Sequence, residues 1–80
     1  MKEKIINILT EIRPEFEFNE STVNFMDAGY LDSFDIISIV VDIETNFDLK
    51  ISGALILPEN FRNVAAIANL IQMSKDASQV

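Results

Sequence analysis

Cysteine and histidine are both missing from this chain of 80 residues. Without cysteine there is no disulfide framework, no thiolate zinc site and no thiol nucleophile, and the redox compartment stays undetermined. Without histidine the usual general base and the usual transition-metal ligand are gone. Basic residues are few, with 6 Lys and Arg against 13 Asp and Glu and a net charge of −7. That balance argues against nucleic acid and anionic membrane surfaces, both of which select for clustered Lys and Arg. No apolar run approaches the ~20 residues that span a bilayer. Met1-Lys2-Glu3-Lys4 leads into a stripe interrupted by polar residues, unlike a signal-peptide core. A cytoplasmic protein without membrane insertion is expected.

What is present suffices for one domain over residues 1–80, expected to be a monomer. Apolar residues make up 49% of the chain, enough for a packed core. Only 2 Gly and 2 Pro interrupt it, so long stretches are free to be helical. Ile5, Ile8, Leu9 and Ile12 recur at helical spacing, which predicts an amphipathic helix over 2–13 that Pro14 ends. Residues 14–32 mix turn formers with isolated apolar residues and read as a long connection. Phe16, Phe18, Val23, Phe25 and Leu31 are expected to pin it to the core. A short strand over 16–18 is the rival reading. Asp27-Ala28-Gly29-Tyr30 is a turn signal in which Gly29 can take a positive φ.

The second helix is predicted over 33–47, capped by Asp32 with Asp35 three residues on. Its apolar residues fall into two stripes. Ile36, Ile39, Val40, Ile43 and Phe47 should face the core, while Phe34, Ile37 and Val41 lie on another side. Periodicity alone leaves open whether that second stripe docks a partner or is covered by the loop. Pro58–Phe61 reads as one short helical turn. Asn63 can cap a last helix with Val64, Ile67, Ala68 and Ile71 inside, fraying from Gln72 onward. The fold class expected is all-α, with three main helices, one short one, and a long loop between the first two.

Nine acids (Glu15, Glu17, Glu20, Asp27, Asp32, Asp35, Asp42, Glu44 and Asp48) and no Lys or Arg lie between Pro14 and Leu49. At the centre of that stretch Ser33 stands at a predicted helix start. A serine hydrolase or transferase needs a base within hydrogen-bond reach, and no Lys, Arg or His is near it in sequence. Asp32 and Asp35 could form an acid–base pair, but on an exposed helix start such carboxylates keep ordinary pKa values. The acids also lack the loop spacing and central Gly of a calcium site. A capping role for Ser33 is the plain alternative. The sharper one is a modified serine, since free amides and the positive dipole end of a helix favour a phosphate there.

The stretch Gly29-Tyr30-Leu31-Asp32-Ser33-Phe34-Asp35 resembles the phosphopantetheine attachment motif of the acyl carrier protein family. The likeness extends to length, acidity and helix order. It implies an acyl-carrier-like bundle that does not catalyse. In it a phosphopantetheinyl transferase attaches 4′-phosphopantetheine from coenzyme A to Ser33, with Asp32 as the flanking motif residue. It implies an acyl- or aminoacyl-loading ligase and a downstream acyltransferase or synthase as further partners. It also makes Phe34, Asp35, Ile37, Val41, Asp42 and Glu44 the partner-contact residues. Gly29 lies four residues before Ser33 and Phe34 follows it. That spacing is more similar to D-alanyl carriers and to polyketide or nonribosomal carriers than to fatty-acid carriers. The competing expectation is an unmodified acidic helical adaptor that uses the same face to bind a basic protein.

Overall fold

The computed structural model describes residues 1–19 and 23–78. Three α-helices carry the fold: α1 over Lys2–Ile12, α2 over Ser33–Phe47 and α3 over Val64–Ser78. Two 3-10 turns, Gly53–Leu55 and Pro58–Phe61, link α2 to α3. The class is all-α, and the residues at 16–18 form no strand.

Each helix buries the face its spacing marks. Ile5, Ile8 and Leu9 of α1 meet Ile36, Ile39, Val40 and Ile43 of α2 and Val64, Ile67, Leu70 and Ile71 of α3 in one core. Burying a side chain of this size stabilises the fold by about 1.5–3 kcal/mol. α1 packs against both other helices. Arg13 at its end reaches residues at the start of α2, and Lys4 at its start lies over the ring of Phe47 at the end of α2. The two helices therefore run antiparallel. Lys75, late in α3, covers the same ring, so α3 runs parallel to α2. The long connection is thus no means of separating α1 from α2, since antiparallel neighbours could be joined by a few residues.

The extra length closes the end of the bundle that carries Ser33. Phe18, Phe25 and Leu31 are buried there, Phe16 stacks on Tyr30 with ring centroids 4.5 Å apart, and Phe18 meets Phe25 edge-on at 5.1 Å. The Phe25 N–H donates to the carbonyl of Arg62 at 2.7 Å, which ties the loop to the entry of α3. Val23, expected as an anchor, stays exposed. The last helix does not fray at Gln72. Val64, Ile67, Ile71 and Ser74 form one buried row, so the inner face continues through a small polar residue. Asn63 does cap this helix, accepting from the Ala66 N–H at 2.8 Å.

Candidate functional site

The chain that leads to Ser33 is fixed by backbone hydrogen bonds up to the residue before the cap. Asn24 Oδ1 accepts from the N–H groups of Met26 and Asp27 at 3.0 and 3.1 Å, which starts a tight turn. Gly29, at φ 79°, ends it, and the N–H groups of Tyr30 and Leu31 both return to the carbonyl of Phe25. A side chain on Gly29 would meet no neighbour within 4 Å. The left-handed backbone, and not crowding, is what calls for glycine there.

Asp32 then turns the chain into α2. Its Oδ1 accepts from the Phe34 and Asp35 N–H groups at 2.9 and 3.0 Å, while Asp35 Oδ2 accepts from the Asp32 N–H at 2.9 Å. This is the reciprocal capping box, built with Asp at the third position. Because Asp32 takes the cap, Ser33 does not. Ser33 is exposed at the first helical position, and its hydroxyl has no hydrogen-bond partner among the described residues.

Two expectations change here. The first-turn amides of Phe34 and Asp35 are engaged by the Asp32 carboxylate, so they do not wait for a phosphate. Nor are the two carboxylates a solvated pair. Asp35 is buried, only 8% exposed, and a cation invisible in the local sequence joins both aspartates. Arg13 directs Nε to Asp35 Oδ2 at 2.9 Å and Nη2 to Asp32 Oδ2 at 3.2 Å, with Nη1 3.4 Å from Glu15 Oε2. The Asp32 carboxyl is held below its ordinary range, first by the Asp35 N–H and then by the Phe34 N–H and the Arg13 charge. Arg13 is held charged more firmly, first by its hydrogen bond to Asp35.

The contact residues inferred from sequence separate into two sets. Phe34, Ile37 and Val41 are 80, 61 and 54% exposed and form an apolar stripe along α2 beginning beside Ser33. Asp42 borders it, half-exposed. Asp35 leaves the contact set, because its carboxylate is spent on the capping box and on Arg13. Glu44 is half-buried, and its Oε2 accepts from the Ile51 N–H at 3.0 Å, which anchors the segment after α2. Phe47 is likewise only half-buried, with Lys4 Nζ and Lys75 Nζ 5.4 and 5.6 Å from its ring centre.

The described residues enclose no cavity and hold no cluster of metal-ligating side chains. No helix among them is long and apolar enough to cross a membrane. An exposed serine whose neighbouring carboxylates are held by helix amides and Arg13, with an apolar stripe leading away from it, suits attachment of a group from outside. That is the class of a modified carrier domain. Residues 3–71 match the family described as "Phosphopantetheine attachment site", and the chain belongs to that carrier family. A D-alanyl carrier protein of Lactococcus lactis subsp. lactis (strain IL1403) is 30% identical over 77 residues, spanning 95% of this chain and 98% of that protein. No solved structure matches. The protein is thus a non-catalytic carrier, a substrate of a phosphopantetheinyl transferase, with 4′-phosphopantetheine as its covalent cofactor. That group supplies the thiol that a chain without cysteine lacks.

Proposed function

We propose that Ser33 is the attachment residue and that the whole chain, residues 1–80, is one carrier domain whose arm bears an acyl or aminoacyl thioester between partner enzymes in the cytoplasm. The observation that carries this reading is the division of labour at the start of α2: Asp32 caps the helix, which leaves the Ser33 hydroxyl exposed and without a hydrogen-bond partner among the described residues. In the transfer the Ser33 oxygen forms a bond to the phosphopantetheine phosphate, the pyrophosphate bond of coenzyme A breaks with adenosine 3′,5′-bisphosphate as the leaving group, and the hydroxyl proton leaves to a base. The transferase must supply that base, since the carboxylates nearest Ser33, Asp32 and Asp35, are held by helix amides and by Arg13. The cargo we favour is an aminoacyl group, a D-alanyl group first, because this chain is similar to the Lactococcus D-alanyl carrier protein over 98% of that protein's length. Phe34, Ile37, Val41 and Asp42 form the surface that transferase, loading ligase and acceptor enzyme share.

Incubation with coenzyme A and a broad-specificity phosphopantetheinyl transferase should add one phosphopantetheine mass to the wild-type chain and none to Ser33→Ala. An unmodified wild type, beside a control carrier that is modified, overturns the assignment. An intact mass taken from the native host then reads the cargo directly, and a mass other than alanine's sinks the D-alanyl choice alone.

A further inference from the structure

The capping box around Ser33 has a third member that the turn itself does not contain. Arg13 follows the last residue of α1 and precedes Pro14, which keeps it out of the helical region. From there its guanidinium spans the gap to α2 and binds one oxygen of each aspartate in the box. Asp35 Oδ2 accepts twice, from Arg13 Nε and from the Asp32 N–H, both at 2.9 Å. Two carboxylates held this close repel each other unless a cation lies between them, and one of them is buried. Between Lys4 and Lys50, Arg13 is the one basic residue in the sequence. A planar fork that reaches both carboxylates is something lysine cannot reproduce.

We infer that Arg13 is a positioning residue for phosphopantetheinylation: by clamping Asp32 and Asp35 it holds the Ser33 turn in the form the transferase recognises. It makes no hydrogen bond to the Ser33 hydroxyl and acts through the two aspartates. This rests on Ser33 as the attachment site. If the turn is preset, the enzyme meets a fully populated competent state. If it is loosened, apparent affinity falls by the fraction lost while the step within the complex is unchanged.

The test uses the full chain with coenzyme A and a phosphopantetheinyl transferase. Arg13→Gln should raise KM for the carrier about tenfold and leave kcat within about twofold, the pattern of a reduced competent population. Arg13→Lys, which keeps the charge and loses the fork, should fall between wild type and Arg13→Gln. Lys50→Gln, an exposed charge-matched control, should behave as wild type. Amide hydrogen exchange gives a readout independent of the enzyme. The Phe34 and Asp35 amides should exchange about tenfold faster in Arg13→Gln, with Val40 and Ile43 unchanged. Kinetics equal to those of Lys50→Gln overturn the inference, as does exchange that quickens equally through the whole helix, which marks a loss of global stability. Should the wild type accept no phosphopantetheine, the Ser33 assignment falls, and unchanged exchange at Phe34 and Asp35 separately overturns the clamp.

Discussion

Asp32 carries two duties at one carboxylate, and a single substitution separates them. Asparagine caps a helix as well as aspartate does, so Asp32→Asn keeps the acceptor for the Phe34 and Asp35 amides and removes the charged oxygen that faces Arg13. Folding holds the Asp32 carboxyl below its ordinary range, so the native state favours the ionised form. The stability this brings is fully present above the ordinary aspartate pKa of about 4 and is lost as pH falls through the lower folded value. Wild type should therefore have the higher urea midpoint near neutral pH, and the two midpoints should converge below about pH 4. A gap that persists unchanged into acid would mean that the charge facing Arg13 is not its source.

α2 shows the same economy over its whole length, with one apolar face in the core and one left to solvent. Ile36 and Ile37 are neighbours of identical chemistry, yet they are 5% and 61% exposed. Ile37→Ser should change stability by no more than about 0.5 kcal/mol, because the residue is solvated and the two side chains have similar helix propensity. Ile36→Ala should cost about 2–5 kcal/mol. If the stripe is the shared contact surface, Ile37→Ser should also weaken modification by the transferase, and an unaffected KM would remove Ile37 from that surface. The helix end holds a local conflict. Asp48 closes it in the left-handed region at φ 52°, a poor conformation for a side chain, with a negative charge at the negative end of the dipole. Asp48→Gly relieves both and should raise stability by about 0.5–1 kcal/mol, read as a higher urea midpoint; a lower midpoint would mean that the aspartate makes a contact worth more than this strain. Spacing alone revealed this helix, its cap and its two stripes, because period and capping are local. The fate of Asp35 was not legible, since it sits at the margin between the faces and only packing against α1 decides which way it belongs. Arg13 was missed for the same reason, its partners being 19 and 22 residues away. A lone arginine just before a proline and a basic-free stretch was the available hint. The long reach of α3 was legible in the row Val64, Ile67, Ile71, Ser74, had the serine been counted as small instead of polar.

At the scale of the whole molecule, the ends of the bundle are specialised. One end gathers the aromatic residues of the loop, the Arg13 clamp and Ser33; the other closes over Phe47 with Lys4 and Lys75. Between them the core is filled by its own side chains, Leu9, Ile43, Phe61, Ile67, Leu70 and Ile71 among them with no exposure at all, and the described residues leave no cavity. A fatty chain could enter only by displacing core side chains, which costs about 1–3 kcal/mol or more for each overpacked site. A short polar aminoacyl group needs no such shelter and can stay in water on its arm. Because a group in solvent does not favour the folded state over the unfolded one, apo, phosphopantetheinylated and aminoacyl-loaded forms should melt within about 2 °C of one another, below about 0.5 kcal/mol for a domain of this size. Differential scanning calorimetry of the three forms checks this. A loaded form that melts several degrees higher would mean that the bundle opens to take its cargo inside, and the preference for a small polar cargo would then lose its physical ground.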